Sequence, residues 1–214
     1  MTEASCSNPK KILTRWACGI LAGAALVGLF NLLLFRHAAA LREANPWTYL
    51  READRLRAEN DWMGAVGMLR EAARRDPNSP VPWERMGLLY YNARHWDKAL
   101  DAYRTALKNG SRDADVRGKI IWCLIHLNRY DGAAEFGKAC LEEGYASAHI
   151  HRAIGEALRR AGRHDEAIPY LETALKSFPN DPYLIDQLAQ ACRLVGDEER
   201  ARQLRQRIDD LQGR

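Results

Sequence analysis

The chain has 214 residues, 47% of them hydrophobic and 28% charged, and carries a formal net charge of +4. This is an ordinary globular balance. The basic excess is small, mostly arginine, and forms no run interleaved with aromatics, which argues against nucleic acid as a partner.

In chain order, residues 1–15 are a short polar tail with Lys10, Lys11 and Arg15. Residues 17–35, ACGILAGAALVGLFNLLLF, carry no charge, and Trp16 stands at their edge as an interfacial aromatic. At about 1.5 Å per residue such a helix is roughly 28 Å long, close to a hydrocarbon core, so 16–35 is expected to be a single transmembrane helix. A cleaved signal peptide is the rival, because Ala38, Ala39 and Ala40 offer an A-x-A site; the length of the run and the intervening Arg36 and His37 favour an uncleaved anchor. Gly19 and Gly23 make a G-x-x-x-G face on which two such helices can pack, which makes a homo-oligomer possible. Lys10, Lys11 and Arg15 before the span are balanced by Arg36, Arg42 and Arg51 after it, so charge does not orient it. A short N-terminal tail usually stays in the cytoplasm, which places the rest of the chain on the non-cytoplasmic, periplasmic side. The five cysteines, an odd number without C-x-x-C spacing, pull weakly the other way. Residues 36–45 read as a helical stalk that stops at Pro46.

From Pro46 onward small residues recur at one interval. Ala65, Ala99, Ala133, Ala167 and Ala201 each follow the last by 34 positions. Within one interval, Trp83, Met86, Gly87 and Tyr90 lie at i, i+3, i+4 and i+7 on one helix face. After a short turn at Asn92, Ala93 and Arg94, a second stripe runs through Trp96, Ala99, Leu100, Tyr103, Ala106 and Leu107 and ends at Gly110. The unit is a helix hairpin whose small residues permit close crossing.

The series Trp83, Met86, Gly87, Tyr90, Ala99, Tyr103, Ala106 resembles the tetratricopeptide repeat, with Ser111 where the closing proline belongs. The register continues through Ile154, Gly155, Leu158, Gly162, Ala167, Leu171, Ala174 and Pro179. The third unit departs from the pattern, with Ile121 at the glycine place and Gly137 at the aromatic place, and the first and last units are the least typical. The resemblance implies an all-α fold: a solenoid of about five helix hairpins (about 46–79, 80–113, 114–147, 148–181 and 182–214), preceded by the transmembrane helix. The stripe Ala201, Leu204, Ile208 and Leu211 is expected to cap the end.

Chemistry is not expected. No phosphate-binding loop, nucleophile elbow or H-E-x-x-H occurs, and no nucleophile, base and orienter converge in sequence, so the chain is read as a non-enzyme without a cofactor. His149 and His151 are two apart and face different sides of a helix, which argues against a metal site.

By register with the family, a protein or peptide partner is expected in the concave groove lined by the first helix of each unit. The candidate residues are Leu88, Tyr91, Asn92, Trp122, Ile125, Arg152, Arg159, Arg160 and Arg193, with Glu84, His126, Glu156, Asp186 and Gln190 at neighbouring groove places. An apolar floor beside an arginine cluster suits an extended peptide with an apolar anchor and an acidic side. The alternative is that Trp122 belongs to the core and the arginines to a solvated face. The lysine and asparagine clamp with which some family members hold chaperone tails is absent from the matching places. The expected function is a membrane-anchored scaffold in assembly of an envelope or secretion complex. A cytoplasm-facing receptor for client proteins, an accessory subunit of a membrane enzyme, and polyanion or glycan recognition by the arginines are the alternatives.

Overall fold

A computed structural model describes residues 45–213 as helices joined by short turns, with no strand among the described residues. The helices pair into five hairpins: α1 (Pro46–Ala58) with α2 (Trp62–Arg75), α3 (Val81–Asn92) with α4 (Trp96–Lys108), α5 (Ala114–His126) with α6 (Tyr130–Glu142), α7 (Ala148–Arg160) with α8 (His164–Ser177), and α9 (Pro182–Leu194) with α10 (Glu198–Gln212). The segment expected to cross a membrane, with Gly19 and Gly23, and the stalk up to residue 44 lie outside the described residues. Among the described residues no helix is long and apolar enough to cross a membrane.

Local chemistry starts most first helices. Asn45 caps α1 by accepting from Trp47 N–H, Asp113 caps α5, Ser147 caps α7, and Asp181 caps α9 through two backbone N–H groups. α3 instead opens on the Pro80–Val81–Pro82 run. Every first helix ends the same way. A residue of positive φ follows it, at Asn60, Arg94, Asn128, Gly162 and Gly196, again 34 apart. The next N–H reaches back to a carbonyl of the last turn, as in His95 N–H to Tyr90 O (2.9 Å) and Arg129 N–H to Leu124 O (2.9 Å). This repeated turn closes each hairpin in the same geometry.

Arg94 is the one residue of the five with neither glycine's freedom nor asparagine's tolerance of the left-handed region, at φ 59°. Arg94→Asn is therefore expected to stabilise the fold by about 0.5–1 kcal/mol, read as a raised urea midpoint.

The alanine ladder is the seam. Ala65, Ala99, Ala133, Ala167 and Ala201 are all fully buried. Facing them, a Cβ on Gly87 would meet the Tyr103 ring at 2.5 Å, and one on Gly155 would meet Leu171 at 2.6 Å, so both glycines exist to admit a large side chain from the second helix. The third hairpin reverses the arrangement. Ile121 is fully buried on the first helix, and Gly137 on the second leaves the space that Ile154 of the next hairpin enters, 2.4 Å from where a Cβ would stand. The packing of the unit is kept although both of its pattern positions are altered.

Neighbouring first helices also touch: α3 with α5, α5 with α7, and α7 with α9. First helices thus approach one another more closely than second helices do, and they line the inner, concave face of the stack.

Candidate functional site

The concave face is built by the C-terminal half of α3 and by α5. Tyr91, half-buried on α3, meets Trp96 edge-on at 5.1 Å between ring centroids. Trp96 stacks on His126 at 4.1 Å and 10°, and His126 lies 6.4 Å from Trp122. The Lys119 ammonium stands 5.3 Å from the Tyr91 ring centre. Next to this aromatic wall lies a cavity of about 330 Å³ lined by Tyr91, Asp115, Gly118, Lys119, Trp122 and His149. Gly118 accounts for the space. Glu84, Arg152 and Asp186 occupy its place in neighbouring hairpins, whereas a Cβ on Gly118 would meet nothing within 4 Å.

The candidate residues separate into distinct roles. Tyr91 and Trp122 line the cavity, and Trp122 also packs against the core. Leu88 lines a shallow cleft between α1 and α3 beside Asp54, Arg57 and Arg85. Asn92 and Arg193 are exposed near the ends of α3 and α9. Ile125 is not a groove residue: it is fully buried in the hydrophobic core of the stack.

The arginine cluster is not an open anion site. Glu156 is fully buried and is held by Arg159 at 3.0 Å and Arg160 at 2.5 Å. Arg159 also donates to Gln190 Oε1 at 3.3 Å, and Gln190 donates to Asp186 at 2.6 Å. Arg152 pairs with Asp181 at 2.9 Å and lies over the Tyr183 ring. Three of the four candidate arginines therefore already serve carboxylates of the fold. The aromatic wall remains open to the cavity, whereas the acidic side of the expected ligand loses most of its partner.

Trp96, Lys119, Asp115, Gly118 and His149 belong to the site without having been singled out for it. Trp96 is on a second helix and enters only because the turn brings it beside Tyr91. Gly118 had a visible signal, the one side chain missing from a series of groove positions.

Burial against Trp96, followed by the positive charges of Arg160 and Arg94, lowers the His126 pKa below its ordinary value. The neutral ring is the favoured partner of the stack. His126 therefore contributes stability that is present above the unfolded-state pKa of about 6.5 and is lost as pH falls through the lower folded-state value. An NMR titration of the His126 ring is expected to give a midpoint below about 6.5, with no such step in His126→Phe. Burial also pushes the Cys123 thiol up to about 12 and raises those of Cys140 and Cys192, so these buried thiols stay protonated at neutral pH.

Comparison with known proteins places this geometry in a family. A tetratricopeptide repeat family model matches residues 37–212. No curated protein matches the sequence. Among solved structures, MamA from Desulfovibrio magneticus is 18% identical with a TM-score of 0.71, over 78% of this chain and 94% of that one. YrrB, described as a TPR protein with an unusual peptide-binding site, is 18% identical with a TM-score of 0.71, over 82% of this chain and 92% of that one. PilW, described as a widely conserved type IV pilus biogenesis factor, is 21% identical with a TM-score of 0.64, over 80% of each chain. At these identities the structures speak for the fold, and the family match speaks for the sequence. The chain belongs to the tetratricopeptide repeat family, whose helical solenoids act as scaffolds for protein–protein contacts.

Proposed function

We propose that this chain is a membrane-anchored scaffold that docks an extended segment of a partner protein in its concave groove and works by binding, not catalysis. The observation that carries the reading is the cavity at Gly118, walled by Tyr91 and Trp122 and backed by the Trp96–His126 stack. Its volume of about 330 Å³ suits one aromatic or large aliphatic side chain and its neighbours, and Lys119, Asp115 and His149 supply polar groups at the mouth. The reading is supported by the peptide-binding site described for YrrB. A peptide-display selection on the full-length chain is expected to enrich sequences with an aromatic or large aliphatic anchor. Recovery of polar sequences without an anchor would contradict the reading.

The place of action is proposed on a separate footing. The uncharged run 17–35 is long enough to anchor the chain in a bilayer. The pilus biogenesis role described for PilW supports assembly of an envelope or secretion complex as the setting, with the solenoid on the periplasmic side. Self-association through Gly19 and Gly23 would present several grooves at once. A fusion of alkaline phosphatase after Arg214 in a bacterial host is expected to be active and to sediment with membranes. A fluorescent-protein fusion that glows while the phosphatase fusion stays silent would turn the solenoid inward and favour a receptor for cytoplasmic clients. Activity released into the soluble periplasm would mean that the anchor is cleaved.

A further inference from the structure

We propose a second docking site on the convex face, between α2 and α4, for an acidic peptide segment that carries an aromatic or aliphatic side chain next to a carboxylate. The site is distinct from the concave groove. A cavity of about 500 Å³ opens there, floored by Trp83, Met86 and Tyr90 of α3 and flanked by Arg70 on α2 and by Lys98 and Asp101 on α4.

The repeat register shows what is unusual about it. In later hairpins the second helices are tied across this same groove by an ion pair. Lys138 on α6 bonds Glu166 on α8 at 3.1 Å, and Glu172 on α8 pairs with Arg200 on α10. Arg70 and Lys98 stand at the corresponding positions, two repeat lengths before the first pair and three before the second. Here the tie is replaced by two like charges, which cannot bridge the helices. Both cations settle on Tyr90 instead: Arg70 donates to its hydroxyl at 3.1 Å, and the Lys98 ammonium lies 5.8 Å from its ring centre. Where α8 and α10 meet, the equivalent cavity of about 460 Å³ is lined by Glu172 and Arg200, the two partners of that tie. Between α4 and α6 the pair of positions holds Arg104 and Gly132, which has no side chain to reach across.

Trp83 also gives the site a spectroscopic reporter. The Trp83 indole N–H is shut off from water and has no hydrogen-bond partner, although buried indoles usually find one. Trp83 lines this cavity. The occupant follows from complementarity. Its carboxylate takes the place that Glu166 and Glu172 hold elsewhere and bridges Arg70 and Lys98. Its apolar side chain covers Trp83, Met86 and Tyr90 on the floor of the cavity. Asp101 at the rim disfavours a wholly acidic segment and selects for one carboxylate beside an apolar residue.

The test uses the full-length chain in detergent micelles with ¹⁵N-labelled tryptophan. Acetyl-Glu-Phe-amide is expected to shift the Trp83 indole N–H resonance saturably, and acetyl-Lys-Phe-amide to leave it in place. Lys98→Glu gives Arg70 the partner that Lys138 has in Glu166. It is expected to weaken the response by about tenfold or more without lowering the melting temperature. Arg70→Gln, which removes one cation and adds no partner, is expected to weaken it as well, whereas Gly118→Leu in the concave groove leaves it unchanged. A silent Trp83 resonance, an equal response to both peptides, or wild-type binding by Lys98→Glu each overturns the proposal. Loss of the response in Gly118→Leu would assign it to the concave groove and overturn it too.

Discussion

Replacing Arg159 and Arg160 together by methionine is expected to destabilise the fold by about 3–5 kcal/mol, the usual cost of stranding one member of a buried ion pair. Glu156 has no exposed surface, and its carboxylate accepts hydrogen bonds from both of these guanidinium groups. Methionine keeps much of the aliphatic length, so the loss isolates the charge. Either single variant leaves the carboxylate one partner and costs less. Arg160, the more exposed of the two, contributes the smaller share by itself. The measurement is urea unfolding with the slope held to its wild-type value. If the arginines were a solvated face waiting for an acidic ligand, the double variant would stay within about 0.5 kcal/mol of wild type.

The second large effect concerns binding. Trp122→Ala is expected to weaken a display-selected peptide by roughly 2–4 kcal/mol, about 30- to 1,000-fold, as truncation of a buried aromatic anchor does. Tyr91→Ala is expected to act in the same direction, because it removes the opposite wall of the cavity and leaves Trp96 without its edge-on neighbour. Trp122 also packs against the core, so its truncation lowers stability to some degree. Circular dichroism of the variant must therefore show an intact helical signal at the temperature of the binding assay. Retained affinity in a folded Trp122→Ala variant would remove Trp122 from the site.

The hairpins were legible in the sequence because their signal is local and repeated. A 34-residue interval of alanines and a 3.6-residue apolar period need no knowledge of distant contacts. The third hairpin was harder. Ile121 and Gly137 read as two separate departures when each position is compared with the pattern alone. In the fold they are linked, because Gly137 vacates space that Ile154 from the following hairpin enters, with Ile121 at its margin. That exchange runs between repeats, where a reading by position is blind.

The site was only partly legible for a similar reason. Register places a residue on a face, but it does not say how near the next helix stands. Register assigns Ile125 to the groove, but the side chain is fully buried in the hydrophobic core. The tie between Glu156 and its two arginines was available in principle, since the residues are three and four apart on one helix. The bond from Arg152 to Asp181 spans two hairpins and left no such trace. Gly118 is the instructive case. Its importance lies in a side chain that is absent, and it becomes visible only once its counterparts Glu84, Arg152 and Asp186 are set beside it.

The most direct test of the concave docking site is the affinity of a display-selected peptide for the full-length chain and for its Gly118→Leu variant, measured by fluorescence anisotropy. Leucine at this helical position has open space for its side chain and a better helix propensity than glycine by about 0.8–1 kcal/mol, so the variant folds at least as well as wild type. If the cavity between Tyr91 and Trp122 receives the peptide's anchor, filling it lowers the affinity by about 30-fold or more while the melting temperature holds or rises. Equal affinity for a stable Gly118→Leu variant would contradict the assignment of the groove.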